Sequence, residues 1–225
     1  QWACALESVE PTALDRAHWA RTAANLPPRP ELASASTAPR LLRADMLLPR
    51  DVTERLVSTL RGVGDPDLEQ VLLAAVAGAA RRVWHVERIG VRIEGHGRDH
   101  LDGLPDATGA VGWFTSRYPV ALDTCEDRVE QLLLSRQELL SVPSHGMTWG
   151  LVEVEGAGSM WLAFNYMGDV SGDDQRSLNP YGQPSAPENL DPALVSVDAM
   201  FNDGQLEIQT RVRSEFANQA TLVSF

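Results

Sequence analysis

A long helical segment with almost no charge constrains the fold of this chain more than any other stretch. Residues 68–84 are rich in Ala and Leu and are nearly uncharged until Arg81. A helix of this composition is normally buried on several sides. The preceding Asp65-Pro66-Asp67 predicts its start, because a capping carboxylate, a proline at the first position and acid in the first turn all favour a helix N-terminus.

A strand with a carboxylate at its end follows this helix. Ile89, Val91 and Ile93 alternate with the period of two that is typical of a half-buried strand, and they deliver Glu94 to its C-terminal end. Ligand sites in open α/β sheets lie beyond the carboxyl ends of the strands. This position makes Glu94 a candidate for a functional carboxylate.

Capping signals divide the rest of the chain into further helices. The capping box Thr12-Ala13-Leu14-Asp15 predicts one helix, and the Pro-, Ala- and Ser-rich residues 26–40 predict an extended connector. Asp51 predicts a capped helix, and residues 124–127 predict the start of another that ends before Pro143. The expected apolar side of this last helix comprises Val129, Leu132, Leu133, Leu139 and Leu140.

Alternating apolar residues predict several more strands. The predicted strands lie at 42–48, 111–120, 151–154 and 161–166, and residues 195–212 predict a hairpin with Asp203-Gly204 as its turn. The polar residues 169–191 predict a long exposed loop. The whole pattern predicts a mixed α/β fold, in which part of the sheet is antiparallel and helices cover mainly one of its faces.

Charge and cysteine content exclude several classes of protein. A net charge of −12 over 225 residues is unsuited to nucleic acid, whose binding rests on Lys and Arg. The sequence has neither an apolar run of the ~20 residues that a membrane helix needs nor a Cys/His cluster with metal spacing. We therefore expect no membrane-embedded segment and no metal site. Cys4 and Cys125 are the only cysteines, which favours reduced thiols in a cytoplasmic protein.

The residues around Glu94 suit proton transfer beside a polar ligand. An apolar residue before it and a glycine after it give partial burial and close backbone approach, as a general base requires. The alternative is an ordinary surface ion pair with Arg92 or Arg98. His96 is a candidate proton carrier, or a ring that orients Glu94 or the turn. Arg98 is a candidate phosphate ligand, a partner that keeps Glu94 ionised, or part of a surface salt bridge.

A second candidate cluster ends the predicted strand 161–166. Asn165 and Tyr166 can hydrogen-bond an oxygen on which negative charge develops. The alternative is a purely structural role, an aromatic strand end in which the Asn165 side chain already has its hydrogen-bond partners. Trp113, Phe114 and Tyr118 can line a substrate channel, and core packing is the alternative for each of these three aromatic side chains.

Four blocks of sequence occur in a specific order. They are Glu94–Asp99 (pattern E-G-H-G-R-E), 109–119 (R-T-V-G-W-F-T-x-x-Y-P), 143–150 (P-x-x-G-x-G-Y-G) and Phe164–Gly168 (F-N-Y-x-G). The blocks resemble those of epimerization domains of nonribosomal peptide synthetases, which belong to the condensation-domain superfamily. Asp99 departs from the pattern in the first block, Gly109-Ala110 in the second and Thr148-Trp149 in the third.

The resemblance implies a V-shaped domain of two lobes, each similar to chloramphenicol acetyltransferase. Its site would lie in a tunnel between the lobes, where a carrier protein inserts a phosphopantetheine arm that bears an aminoacyl or peptidyl thioester. The Cα proton would be removed and then returned on the opposite face. This chemistry implies no metal, no pyridoxal phosphate and no cofactor bound by this lobe itself.

The resemblance also implies roles for individual residues by matching position. Glu94 would be the catalytic glutamate, facing a histidine in a His-His-x-x-x-Asp-Gly motif of the N-terminal lobe. Asn165 and Tyr166 would lie near the enolate oxygen. The residues implied to bind the substrate and its phosphopantetheine arm are His96, Arg98, Trp113, Thr115 and Tyr118.

A division of the chain follows from the same resemblance. Residues 1–40 would be an inter-lobe helix and connector and 41–225 the C-terminal lobe, with the N-terminal lobe and the last helix outside this sequence. The sequence contains no adjacent His pair, so we expect the isolated lobe to be inactive and to need a preceding lobe. The alternatives are a condensation domain, which lacks the Glu94 turn, and a non-catalytic carrier-docking or scaffold module.

Overall fold

The computed structural model describes residues 2–32, 40–62, 67–154, 158–170 and 192–225. Within these ranges the helices are α1 (Trp2–Leu6), α2 (Ala13–Asn25), α3 (Arg50–Gly62), α4 (Leu68–Trp84), α5 (Arg128–Ser141) and α6 (Gln219–Ser224). The strands are β1 (Leu41–Leu47), β2 (Arg88–Gly95), β3 (Ser116–Asp123), β4 (Leu162–Asp169), β5 (Val195–Asn202) and β6 (Gln205–Arg213). None of these helices is both long and apolar enough to cross a membrane.

The strands form one mixed sheet. Their order is β1-β6-β5-β4-β2-β3. Strand β4 runs parallel to both β2 and β5, whereas the remaining neighbours pair antiparallel. The predicted class, a mixed α/β fold with antiparallel elements, is therefore confirmed.

The two faces of the sheet differ in polarity. Successive residues of a strand point to opposite faces, so the register places Val91, Leu162 and Val195 on the same face. These side chains are fully buried and share one core cluster with apolar residues of α4. The opposite face, called the polar face below, carries Arg92, Glu94, Arg117, Asn165, Asp198 and Arg211.

Helix α4 runs antiparallel to β2 because only three residues link the two elements. His85 ends the helix in the left-handed region, with φ of 53°. At the other end the Asp67 carboxylate accepts the Glu69 N–H at 3.3 Å, so the cap is Asp67; Asp65 and Pro66 lie outside the described residues. The first turn of α4 therefore lies at the carboxyl ends of β2 and β4.

A buried hydrogen-bonded chain fastens α2 to the core. The indole Nε1–H of Trp19 donates to the Thr148 hydroxyl at 3.0 Å, and this hydroxyl donates to the Asp15 carboxylate at 3.0 Å. Asp15 also completes the predicted capping box with Thr12. Trp19 is fully buried, so α2 packs in the same core as the sheet. The division of the chain at residue 40 stays a prediction.

Several local predictions are confirmed. Helix α4, strands β1, β2 and β4 and the hairpin of β5 and β6 all form where the patterns indicate. Both turn residues of the hairpin, Asp203 and Gly204, have positive φ (50° and 72°), as a tight two-residue turn requires. Most of the predicted loop 169–191 lies outside the described residues.

Three local predictions are wrong. Strand β3 begins at Ser116 rather than residue 111, and in the stretch between them the Gly112 carbonyl accepts from the Arg98 guanidinium instead of a neighbouring strand. Residues 151–154 form no strand, since the chain leaves a 3-10 turn there with the Val152 N–H bonded to the Trp149 carbonyl. Asp51 does not cap α3 but lies inside its first turn, where it pairs with Arg55 at 3.2 Å.

The apolar side of α5 is only partly as predicted. Leu132 and Leu139 are half-buried. Val129, Leu133 and Leu140 are 68%, 61% and 65% exposed. These three side chains therefore lie on the solvent side of the helix, away from the core.

A strained turn packs against Tyr118 and depends on one glycine. Ser144, His145 and Gly146 all have positive φ (47°, 49° and 80°). A Cβ on Gly146 would lie 1.8 Å from Cδ1 of the buried Tyr118 ring. No side chain fits there without moving the ring or the turn.

Gly146→Ala should therefore destabilise the fold strongly. We expect a loss of roughly 2–5 kcal/mol in the free energy of unfolding, from left-handed strain and overpacking together. Urea unfolding measures the loss. Gly150→Ala is the matched control, since its Cβ would meet nothing within 4 Å. Equal losses in the two variants would contradict the assigned role of Gly146.

Candidate active site

Glu94 lies on the polar face, one residue before the end of β2. Its side chain is 19% exposed, and Oε1 lies 3.1 Å from Nε of Arg117 and 3.8 Å from a terminal nitrogen of Arg92. Arg117 is the direct cross-strand partner of Glu94 on β3. Arg92 precedes Glu94 by two positions and so shares its face. Two cations thus fix a carboxylate at the rim of the sheet.

The sequence analysis considered an ion pair of Glu94 with Arg92 or Arg98, and the structure contains the first of these two. Glu94 pairs with Arg92, as that alternative stated, and with Arg117 in addition. The guanidinium of Arg98 instead donates to backbone carbonyls. The action of Glu94 as a general base stays a prediction.

Asn165 extends the polar face on the neighbouring strand. The last paired residues of β2 and β4 are Ile93 and Phe164, and Glu94 and Asn165 are the next residue on each strand. Their side chains therefore lie side by side on one face. On the other flank, Asn165 pairs in register with Asp198, whose carboxylate binds the Arg211 guanidinium.

Tyr166 lies on the other face of β4. Burial, and then the charges of Asp67, Asp169 and Glu69, raise its pKa. The same Glu69 charge, after burial, raises the pKa of Tyr118. Both phenols therefore lie near the first turn of α4. Asn165 and Tyr166, which were expected to act together, therefore lie on opposite faces of the sheet.

Glu69 is a titratable group that could not be identified as unusual from the sequence. Burial, and then the charge of Asp67, raise its pKa from 4.5 to about 7. A first-turn acid is ordinary in a helix. Helix α4 places it near Tyr118 and Tyr166 at the carboxyl edge of the sheet, since its charge raises the pKa of both phenols.

The turn after Glu94 is built by His96 and Gly97. The His96 ring is 66% exposed, and its Nδ1 accepts the Arg98 backbone N–H at 3.0 Å. Gly97 has φ of 64°, and a Cβ there would lie 1.7 Å from the Phe114 carbonyl oxygen. The turn therefore rests directly on the segment that leads into β3. A substrate contact for His96 stays a prediction.

Arg98 organises a neighbouring loop. Its guanidinium donates to the carbonyls of Ala107, Ala110 (2.8 Å) and Gly112 (3.4 Å). It also lies over the Phe114 ring, with Cζ 4.3 Å from the ring centroid. These contacts occupy much of its donor capacity. Its role as a phosphate ligand stays a prediction, and the geometry gives it a second task in shaping residues 107–114.

The loop held by Arg98 exposes two apolar side chains. Val111 is fully exposed and Trp113 is 84% exposed. Thr115 is half-buried where the loop enters β3. Tyr118, by contrast, is 7% exposed and packs in the core beside Trp19. Of the predicted channel residues, Trp113 is thus the one most open to a ligand or partner.

Asp99 joins two of the sequence blocks in space. Its carboxylate lies 3.7 Å from Nε2 of His96 and 3.7 Å from Nδ1 of His145. The Ser116 hydroxyl donates to the His145 carbonyl at 3.3 Å. The 143–146 turn is therefore anchored to the turn that follows Glu94. Neither Asp99 nor His145 could be singled out in the sequence, because their proximity depends on the packing of distant segments.

The groups on the polar face can act on one side of a substrate only. A carboxylate can accept or return a proton, and the neighbouring amide can donate a hydrogen bond to a carbonyl or enolate oxygen. Arg92 and Arg117 restrain the carboxylate. The arrangement suits a reaction in which a substrate lies over this face of the sheet.

Removal of the Arg98 guanidinium should loosen residues 107–114. In Arg98→Met we expect the Ala110 amide, which bonds to the Ala107 carbonyl at 3.1 Å, to exchange at least about tenfold faster, as a local loss of roughly 1.4 kcal/mol would give. Hydrogen-exchange mass spectrometry measures this rate. Arg55→Met removes an exposed surface arginine and should leave it unchanged. Unchanged exchange in Arg98→Met would show that Arg98 does not hold the loop.

Glu69 should make stability fall as pH rises. Its folded-state pKa of about 7 lies above the ordinary 4.5, so folding favours the neutral acid. This contribution is complete below the ordinary pKa and is lost as pH rises through the folded pKa. Relative to the parent, Glu69→Gln should gain roughly 1–3 kcal/mol at about pH 8 and little at about pH 4.

Urea unfolding at the two pH values tests this expectation. Glu54→Gln changes an exposed acid of α3 and should show no such pH-dependent gain. A Glu69→Gln variant that is equally stable relative to the parent at both pH values would contradict the assignment.

Comparison with known proteins gives relatives among the nonribosomal peptide synthetases. No protein-family model matches the chain. It is 30% identical over 195 residues to N-(5-amino-5-carboxypentanoyl)-L-cysteinyl-D-valine synthase of Amycolatopsis lactamdurans, covering 86% of this chain and 5% of that protein. It is 27% identical over 173 residues to tyrocidine synthase 2 of Brevibacillus parabrevis, covering 69% of this chain and 5% of that protein.

Solved structures share the fold. The epimerization domain from the third module of tyrocidine synthetase B has a TM-score of 0.82 and 24% identity, over 99% of this chain and 55% of that one. The first condensation domain of the calcium-dependent antibiotic synthetase has a TM-score of 0.61 and 17% identity, over 98% of this chain and 50% of that one. The chain thus spans about half the length of these solved domains and a small part of its curated relatives.

The fold and these relatives agree with the order of the four sequence blocks. All four blocks lie on one lobe and converge at the carboxyl edge of its sheet. The chain is thus related in sequence to nonribosomal peptide synthetases and has the fold of the solved epimerization and condensation domains.

Proposed function

We propose that this lobe takes part in L-to-D epimerization at Cα of an aminoacyl or peptidyl thioester carried on a phosphopantetheine arm. The observation that carries the proposal is Glu94, held by Arg117 and Arg92 on the polar face beside Asn165. Support comes from the solved epimerization domain, whose TM-score of 0.82 exceeds the 0.61 of the condensation domain.

The chemistry needs one proton acceptor and one proton donor on opposite faces of the substrate. A thioester carbonyl acidifies the Cα–H bond, and the electron pair of that bond moves onto the carbonyl as the proton leaves. Glu94 would take the proton on one face, or return it there in the reverse direction. The Asn165 amide would donate a hydrogen bond to the oxygen as it gains charge.

The second proton carrier would belong to a preceding lobe. Inversion requires a donor opposite Glu94, and the sequence resemblance implies a histidine in a His-His-x-x-x-Asp-Gly motif. This lobe can be part of the same polypeptide or a companion chain. An isolated C-terminal lobe would hold half of the site and would be inactive by itself.

The proposed partners follow from the same chemistry. A peptidyl carrier protein would bring the thioester on its phosphopantetheine arm, so this lobe would bind no cofactor of its own. His96, Arg98, Trp113, Thr115 and Tyr118 are the residues proposed to contact the substrate or its arm. Among them Trp113 has the greatest exposure, and Arg98 would act at least in part by positioning the loop that carries it.

Solvent deuterium exchange at Cα tests epimerization directly. An L-aminoacyl thioester on its cognate carrier would be incubated in D₂O with the intact parent protein and with its Glu94→Gln variant. We expect deuterium uptake and a D/L mixture with the parent. The variant should slow both by about 10²-fold or more, the usual contribution of a general base. Mass spectrometry and chiral chromatography of the released amino acid provide the measurements.

Glu54→Gln is the matched control, because it alters an exposed acid on α3. It should leave exchange unchanged. No deuterium uptake from a correctly loaded carrier would contradict epimerization. An added acceptor thioester would then distinguish a condensation domain, which would form an amide bond, from a non-catalytic docking module, which would not.

A further inference from the structure

Strand β1 forms an open edge of the sheet. It is first in the strand order, and β6 is its one neighbour among the described strands. At the ends of β1, the Leu48 N–H and the Arg40 carbonyl both bond to the β6 side. Backbone groups of successive residues point to alternate edges of a strand, so the even-numbered residues bond to β6. The backbone groups that point outward belong to the odd-numbered residues Leu41, Arg43, Asp45 and Leu47.

The charged side chains of β1 are only partly matched within the chain. Arg43 lies directly opposite Arg211 on β6, and Asp198 pairs with Arg211. Within β1, Nε of Arg43 donates to both carboxylate oxygens of Asp45, at 2.7 and 2.9 Å. Both side chains remain about half-exposed (42% and 49%). This contact uses Nε alone, so the terminal nitrogens of Arg43 can bind a second carboxylate on the outer side of the strand.

The sequence of β1 is complementary to itself in the antiparallel direction. If the outer edges of two copies pair about Ala44, Arg43 of each copy lies opposite Asp45 of the other. In the same register, Leu41 of each copy lies opposite Leu47 of the other, and these leucines are 44% and 57% exposed. The pairing therefore joins opposite charges and apolar side chains, which are favourable cross-strand combinations.

Backbone geometry and charge select this register over its neighbours. Outward backbone groups pair only with outward groups, so the permitted registers differ by two residues. A shift in one direction places Arg43 opposite itself across the copies, and a shift in the other places Asp45 opposite itself. Both bring like charges together, which is unfavourable. In the register about Ala44, Leu42 also lies opposite Met46, whose side chain is 53% exposed.

We propose that two copies of this chain associate through their β1 edges, in the antiparallel register about Ala44, to form one continuous sheet. A two-fold axis normal to the sheet relates the copies, and each contributes the same surface, as in most homodimers. Strand β1 lies four strand positions from β2, roughly 19 Å at the usual strand spacing. The pairing therefore leaves Glu94 and Asn165 free. The proposal goes beyond epimerization and does not depend on it.

Charge reversal on β1 tests the pairing directly. In the paired strands, Arg43→Asp places aspartates opposite each other, and Asp45→Arg places arginines opposite each other. Sedimentation equilibrium of the intact parent protein and of each variant measures self-association. We expect a dimer Kd in the micromolar range for the parent and at least about tenfold weaker association for either variant.

An equimolar mixture of the two variants separates pairing between copies from effects within one strand. Every charged pair across the copies then joins an aspartate to an arginine, so the mixture should associate within about threefold of the parent affinity. Each variant still has like charges within its own strand, so an intramolecular effect cannot give this recovery. Arg128→Asp is the control, an exposed change on α5 beside β3 at the far edge of the sheet. It should change the dimer Kd less than about twofold.

A cross-link at the two-fold axis locates the contact. The two Ala44 residues form a non-hydrogen-bonded pair, in which the Cα atoms are about 4.5 Å apart, a separation that a disulfide spans. Ala44→Cys should therefore give more covalent dimer than the parent under mild oxidation. Ser58→Cys, at an exposed position on α3, should not.

Several results would overturn the proposal. A parent protein that stays monomeric at about 100 µM would reject the dimer, whether the β1 edge is open or another segment of the parent protein covers it. A variant mixture that fails to recover association, while each variant unfolds in urea like the parent, would reject the register. Equal association of the parent and both single variants would place any interface elsewhere.

Discussion

The register of β2 decides which side of the sheet each functional group reaches. On β2, Glu94 is opposite Arg117 in the antiparallel pair with β3, and Ile93 is beside Phe164 in the parallel pair with β4. A shift of one residue would turn Glu94 into the core and bring Ile93 to the polar face. Buried Val91 and Ile93 under α4 prevent this shift, since it would move two fully buried side chains into water. The carboxylate is thus positioned by the packing on the opposite face.

The same alternation divides the carboxyl edge into two environments. Glu94 and Asn165 share the polar face, where Arg92 and Arg117 pair with the Glu94 carboxylate. Glu69, by contrast, lies near the buried phenols and has its pKa raised to about 7. One carboxylate therefore lies beside two arginines on the polar face, and the other lies near two phenols on the core side of the same sheet. Only the first faces the space where the proposed substrate would lie.

Local patterns predicted the strands and helices that frame the site, but not the contacts inside it. The alternation that ends at Glu94 and the composition of α4 are short-range signals, and both elements form as predicted. The strand predicted from Val111 begins only at Ser116, and the Gly112 carbonyl bonds to Arg98 instead, a contact that no local pattern encodes. Arg117 was missed for a similar reason, since its pairing with Glu94 follows from strand register. The resemblance supplied residue roles, and the structure added the face on which each residue lies.

At the polar face, Glu94 and Asn165 provide one side of a reaction that needs groups on both sides, so this surface gains function only when something closes over it. Register places these two side chains next to each other, and the burial of Val91 and Ile93 on the opposite face holds that register.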